Sequence, residues 1–561
     1  MNMFRFLFAS LSFLLVSNTV IGKNTSFRIE ISQLYLDGNN QEFKDIQPGD
    51  TLLIVAGSRD YLLIKNFKGK TDHPIVLINS GGEVIIDTDH YYGISIQNCR
   101  FIKLTGTGDI RENYGFQIRR VANGGGIGVG DLSSDFEIEH ISIENCPIGG
   151  IYAKTDPDCT LTSVRGVFTQ YNTSIHDNYI ANVGNEGLYI GSSKYSGQTV
   201  SCNGKDTILL PSILDGVKVY NNIIKYSGWD GIQVSSASKN CRIYNNTILF
   251  DSQAEYENQM SGILIGGGSK CDCYNNFISQ GKGNGIESHG LGGYRIFNNI
   301  IVDAGRSFLP KDLTKMKHGI FVTDVSTEEN SSFYMEYNDI INPKSDGIRF
   351  SSIKSLNNVI ASNAIINPGN FDFYENGNTS FKGSDSYIML PYHETQVGFL
   401  NNFLSRKIAD AGFSSTSTVS PEDFELKSGS PLIDAAFPDK SITFDFSGFP
   451  RPFGPKSDIG AYEYNVTNAD FFRNNFPERH FQILENPVKN SLKIFSESGT
   501  DQKLTLNIYN LNGQLIRQFR NSALKMEPKI IQTDVSGILS GFYLYTIQTE
   551  NGLSSGKFVK W

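Results

Sequence analysis

Beyond its first residues the chain has no apolar run of 18 residues, so no later segment is long enough for a membrane-spanning helix. Charge is sparse: 19% of the 561 residues are Asp, Glu, Lys or Arg, and the net charge is −9. An acidic balance of this kind argues against a nucleic-acid partner. Aromatics at 12% argue equally against a disordered acidic tail. The 7 cysteines are few and odd in number. Cys271-Asp272-Cys273 has no second ligand pair at zinc spacing. Bridging of Cys146 to Cys159, a partner for Cys202 in a neighbouring repeat, and stacking of unpaired buried thiols all remain open. No glycine-rich phosphate loop opens a helix, and Gly124–Gly130 lies among strands, where it reads as a turn. Against these shortages stand 55 glycines and 50 asparagines. Both favour turns and left-handed backbone, so long helical bundles are excluded. The length suggests about three or four domains unless the chain is a repeat array.

Residues 1–22 read as a secretory signal peptide. Arg5 precedes an apolar core at Phe6–Val16, and Val20 and Gly22 place small residues at the cleavage positions.

A phrase then recurs: SIHDNYI at Ser174, KVYNNII at Lys218, RIYNNTI at Arg242, DCYNNFI at Asp272, RIFNNII at Arg295, MEYNDII at Met335 and IASNAII at Ile360. It aligns Asn178, Asn222, Asn246, Asn276, Asn299, Asp339 and Asn363 at short separations near 24 residues, with longer ones marking loop insertions. A second phrase alternates with it, led by Gly150, Gly187, Gly231, Gly262, Gly285, Gly319 and Gly347, with aliphatic residues one and three places after the glycine. Strands and turns repeating every two dozen residues, without helix, describe a solenoid. Its coils stack in parallel at roughly 4.8 Å, and the aligned amides form a ladder at a bend.

Over residues 28–465 these repeats resemble the right-handed parallel β-helix, pectin-lyase-like superfamily. The resemblance implies an all-β fold, a solenoid spanning 23–464. The segments at Gly49 and Lys70–Asp87 resemble opening coils, and GSPLIDAA at Gly429 with SDIGAYEY at Ser457 resemble closing ones; both are expected to cap the stack ends. Residues 465–479 read as a linker. In 480–561, alternating strands joined by Asn-Gly turns predict a small β-sandwich. Asn486-Pro487, Asn512-Gly513, Gly541-Phe542-Tyr543 and Lys560 resemble the type IX secretion C-terminal sorting domain. That implies a Bacteroidetes-type source and export by the type IX machinery; a sugar-binding module is the alternative.

On such a fold, chemistry belongs to outward side chains of one stacked sheet. The residue before each repeat glycine forms a column: Gly149, Glu186, Asp230, Ser261, Asn284, His318 and Asp346. Neighbours lie about 5 Å apart, so Glu186 and Asp230 form a carboxylate pair. A separation near 5 Å suits a nucleophile with an acid/base, and roughly 6.5–9.5 Å suits an inverting pair. An acid before glycine is also an ordinary turn former. Trp229 offers a face for a sugar ring or covers a loop, and Tyr189 and Gln233 are taken as further substrate contacts.

A second constellation joins Lys154, Arg165 and His176, the residue types with which a lyase or epimerase neutralises a uronate and removes its C5 proton. Asp156 and Asp158 are candidate Ca²⁺ ligands. Lys154 lies about 16 Å along the strand from the Glu186 column, too far for one reaction centre. A surface turn is the alternative for Lys154 and Asp156. A third cluster is Glu287, His289 and Arg349. His289-Gly290 resembles the His-Gly motif of polygalacturonases, whose Asn-Thr-Asp and Asp-Asp motifs the matching coils lack.

The sequence therefore reads as a secreted or cell-surface protein acting on extracellular polysaccharide. The first reading is a glycoside hydrolase using Glu186 and Asp230 without a cofactor. The second is a Ca²⁺-assisted lyase or uronate epimerase, and the third a non-catalytic glycan-binding or adhesive solenoid. Neither nucleic acid nor a membrane span is expected.

Overall fold

The computed structural model describes residues 25–109, 111–309, 316–369 and 386–464, and the strands with short stretches around them between 481 and 560. The signal segment, the linker and the Asn486-Pro487 and Asn512-Gly513 turns lie outside the described residues.

Each coil contributes one glycine-led strand to a 12-stranded parallel sheet, which runs in chain order from Tyr35–Asp37 to Ile388–Met389. Its other strands stack in two parallel ladders. These count as one 23-stranded sheet because Thr51–Arg59 and Ile75–Thr88 pass through both. The period-2 pattern works as expected. Ile151, Leu188, Ile232, Ile263, Ile286, Ile320 and Ile348 pair coil to coil and are fully buried in one continuous aliphatic core. The repeat glycine is required by a close approach. A Cβ on Gly187 would sit 2.6 Å from both the Ile224 Cγ2 and the Gly231 carbonyl oxygen.

The asparagine ladder forms at the bend between the two strand ladders. Asn178 Nδ2 donates to Asn222 Oδ1 at 3.1 Å, and the chain continues through Asn246, Asn276 and Asn299 at 2.9–3.0 Å. Its next member is Asn338 rather than Asp339, followed by Asn363 and Asn402. The sixth phrase is offset by one residue: Arg295 pairs with Tyr334 and Ile300 with Asp339. Sequence reading also overlooked the residue before each rung. Asp177, Asn221, Asn245, Asn275 and Asn298 hold φ between 51° and 56°, the left-handed region that Asn and Asp tolerate best. The paired asparagines thus divide the work, the first turning the chain and the second linking coils.

The closing segments do not cap the stack end. Instead, the chain from Ile408 to Tyr464 wraps along the outer side of the second strand ladder. There Leu432, Ala436, Ile442, Ile459 and Tyr462 bury Phe277, Ile300, Val302, Ile341 and Ile366. Asn298 Nδ2 donates to the Phe444 carbonyl at 2.8 Å, and Tyr337 Oη to the Phe437 carbonyl at 3.1 Å. Arg451 anchors the wrap. It pairs with the equally buried Glu463 at 3.1 Å, donates to the Asp458 and Gly460 carbonyls, and lies over the Tyr337 ring. Asp339 accepts the Ala461 N–H at 3.2 Å beneath it.

The cysteines settle differently from the Cys146–Cys159 option. Cys159 bonds Cys202, tying two loop insertions together, and Cys241 bonds Cys271 in the next coil. Cys99, Cys146 and Cys273 are buried free thiols. C-terminal to the linker, two four-stranded antiparallel sheets enclose a core of Leu492, Ile494, Leu506, Ile508, Ile531, Ile547 and Phe558.

Candidate functional site

Two outward columns line the 12-stranded sheet. One is the column before each glycine. The other lies two residues past it and reads Tyr152, Tyr189, Gln233, Leu264, Glu287, Phe321 and Arg349. Within a coil the two columns touch. Asn284 Nδ2 donates to Glu287 Oε2 at 2.7 Å, and Arg349 Nη1 to Asp346 Oδ2 at 3.2 Å.

Glu186 and Asp230 do occupy neighbouring coils, but they are only 2% and 0% exposed. Tyr152 Oη covers Glu186, donating to Oε2 at 2.8 Å. Neither oxygen of Asp230, nor Gln233 Oε1, has a hydrogen-bond partner. Burial raises the carboxyl of Glu186, and it raises Asp230 well above the carboxylate range, with the charges of Glu186, Glu287 and Asp251 adding to it.

The open site lies further along the same face. A groove of about 980 Å³ is floored by Asn284, Glu287, His318, Phe321 and Arg349, with Lys317, Asp324 and Tyr392 beside them. Glu255 and Glu257 of the insertion before Ser261 form one wall, and Phe308 and Leu309 also line the groove. Four carboxylates thus face two cations, so the groove is not basic.

At its floor, Glu287 accepts hydrogen bonds from Ser261 Oγ at 2.8 Å and from Asn284, and pairs with His289 Nε2 at 2.8 Å. Burial alone would raise this carboxyl. His289 and Lys317 together with the Ser261 hydroxyl overcome that and hold it at about 2, so Glu287 is ionised. In the next coils His318 Nδ1 lies 3.2 Å from Asp346 Oδ2, which Arg349 also binds. Burial lowers His318 against the opposing pull of Asp346, favouring the neutral ring.

The other predicted residues do not converge. Lys154 pairs with Asp156 at 2.7 Å and sits 5.0 Å over the Tyr189 ring. Asp158 closes its own turn onto the Thr160 N–H. Asp156 and Asp158 join no group of three acidic, His or Cys ligands among the described residues. Arg165 fastens an insertion by donating to the Tyr195 and Pro211 carbonyls and stacking on the Tyr195 ring. His176 belongs to the opposite sheet. There, with Glu137 and Glu139 around Lys103, it sits in a compensated charge cluster and stacks on Tyr220. Tyr189 donates to Ser193 Oγ, and Gln233 is buried. Trp229 is covered by Tyr256, with ring centroids 4.5 Å apart. Of the nominated groups, Glu287, His289 and Arg349 therefore come together, and Lys317, His318 and Asp346 were missed as site residues. His318 and Asp346 were visible as column members.

Residues 164–388 match the family model described as right handed beta helix region, in two overlapping stretches, 164–327 and 213–388. Residues 483–560 match the secretion system C-terminal sorting domain. Among solved structures, pectate lyase Pel9A aligns at 14% identity and a TM-score of 0.36, covering 79% of this chain and 98% of its own. A GH136 lacto-N-biosidase from Eubacterium ramulus aligns at 11% and 0.34, covering 65% and 63%. Neither likeness carries an activity over. No curated protein matches. Among the described residues no helix is long and apolar enough to cross a membrane. The sorting domain indicates export, into the medium or to the cell surface. The chain thus carries a right-handed parallel β-helix in its described coils, followed by a type IX secretion C-terminal sorting domain.

Proposed function

We propose that this exported solenoid processes extracellular glycans, as a glycoside hydrolase whose reaction centre is the groove around Glu287. The observation that carries the reading is the opposed state of two carboxyls on one face. Glu287 is held ionised near 2 by its partners, whereas Asp230 is held neutral by burial. Environments that push two carboxyls apart in this way separate a base or nucleophile from a proton donor. No hydrogen bond ties the Asp230 oxygens in place. One coil, that of Ser261, lies between them, which sets their strands about 10 Å apart. With an ionised carboxylate as base, the reaction is attack by water. Glu287 would take the proton of the water, and the excess of carboxylates favours an uncharged glycan over a polyuronate.

A second reading, a lyase, is favoured by one observation: neutral His318 beside Asp346, with Lys317 and Arg349 at hand to neutralise a uronate carboxylate. A polysaccharide panel scored for new reducing ends and for unsaturated-uronate absorbance separates the two. Reducing ends without absorbance, abolished in Glu287→Gln, support hydrolysis. Absorbance that depends on His318 replaces it with elimination, and no product from any glycan removes both.

A further inference from the structure

Beside the groove, the insertion between Leu249 and Ser261 carries Tyr256 out over Trp229. The two rings lie nearly parallel, with an interplanar angle of 16°. One face of Tyr256 is therefore taken by Trp229, yet the residue is 54% exposed, which leaves its outer face bare. A single exposed aromatic residue needs no explanation, but this one is held rigidly. The root of its loop is zipped to the Trp229 turn by three backbone bonds: Ser252 N–H to the Trp229 carbonyl at 2.9 Å, Gln253 N–H to Ser227 at 3.0 Å, and Ala254 N–H to Gly228 at 2.9 Å. Glu255, next to Tyr256, is clamped by Lys282 at 2.6 Å. Glu255 and Glu257, on either side of the ring, both line the groove.

We infer that the outer face of Tyr256, backed by Trp229, is a stacking subsite for an uncharged pyranose ring at the entrance of the groove. This rests on the groove being the glycan site. An aromatic face offers its π-cloud to the polarised C–H groups of a sugar ring, and a ring already fixed in place loses little entropy on binding. The flanking carboxylates accept hydrogen bonds from hydroxyls and repel uronates and sulfates. From the coil of Asp230 to that of Asp346 the sheet advances about 19 Å, room for several sugar rings between Tyr256 and Arg349. Trp229, nominated from sequence as the sugar platform, becomes the support beneath it.

The full-length protein is tested by affinity electrophoresis in gels containing glucan, mannan, xylan or polygalacturonate. Wild type, Tyr256→Ala, Tyr256→Phe, Tyr226→Ala and Glu287→Gln are compared. Tyr226 is a matched control, exposed and stacked on Phe250 but on the 23-stranded sheet. Expected are retention in a neutral polysaccharide and roughly tenfold weaker retention of Tyr256→Ala. Retention of Tyr256→Phe and Tyr226→Ala should be undiminished. In turnover, Tyr256→Ala should raise KM for long oligosaccharides while kcat on short ones stays. Equal retention of Tyr256→Ala and wild type overturns the subsite, as does preference for polygalacturonate or retention in no glycan. Tyr256-dependent retention with turnover preserved in Glu287→Gln upholds the subsite and removes Glu287 as the reaction centre.

Discussion

The two outer faces of the solenoid carry nearly the same residue types and use them in opposite ways. On the 23-stranded sheet, Glu137, Glu139 and His176 surround Lys103, and the stack continues through Tyr220, Tyr244 and Tyr274 to Phe297, where Phe444 of the wrap packs. On the 12-stranded sheet, Glu287, His289, His318, Asp346 and Arg349 are also paired, but they open into a groove, and Asp230 behind them has no partner at all. His176 is the most heavily engaged histidine of the structure and the one a list of residue types picks first. Charge satisfied on every side stabilises the fold; charge left partly unsatisfied beside a cavity is available for chemistry.

The largest expected effect tests that contrast directly. Glu287→Gln should lower glycan turnover by about a thousandfold, as loss of a general base does, and also lower the melting temperature by breaking the pair with His289. Glu139→Gln on the opposite face should lower the melting temperature alone, and comparable turnover losses from both would erase the distinction. Next, Arg451→Met in the wrap should cost about 3 kcal/mol or more in urea unfolding, because it leaves Glu463 buried without its partner. Turnover of the folded fraction should stay normal.

The pH dependence should divide the faces by window, since both groups lose stability as pH rises. The neutral folded Asp230 holds a proton that the unfolded chain releases near 3.9, so its contribution makes stability fall as pH rises above about 4. Asp230→Asn should flatten that fall. Burial pushes the His176 ring down, but Asp177 and Glu137 raise it to about 9. Its contribution is full below about 6.5 and is lost as pH rises through about 9, so His176→Asn should flatten the curve in that higher window. Urea midpoints measured across pH check both, and identical curves for the two variants would contradict the assignment. The smallest effect is expected from Lys154→Met: less than about threefold in turnover, since its ammonium is already paired with Asp156. A large loss would return the lyase constellation to consideration.

The architecture was legible because repetition multiplies a weak local signal. A phrase such as KVYNNII means little once; stacked seven times it specifies strands, bend and ladder. It failed where one coil slipped: the Asn338-Asp339 pair matches the motif in two registers, and only the pairing of Ile300 with Asp339 decides between them. The site was legible as columns, since the repeat aligns Glu186 with Asp230 before its glycine and sets Glu287 two places after it, on the outward parity of its strand. Depth was not, because it is set by segments distant in sequence. Tyr152 reaches from the preceding coil to cover Glu186, and Arg165 is held by Tyr195, 30 residues away. The wrap was misread as an end cap for the same reason, as its partners lie up to 171 residues back.

That wrap has a consequence for the order of folding. Coils of a solenoid can propagate one upon the next, each needing only its neighbour. The segment from Ile408 to Tyr464 has no such freedom. Its seat is built from side chains of coils between Asn275 and Ser362, so it can dock only once those coils stand. It is the last piece of the solenoid to settle and, by reversal, the first to leave. Amide exchange should find its hydrogen bonds opening at lower free energy than those of the asparagine ladder beneath.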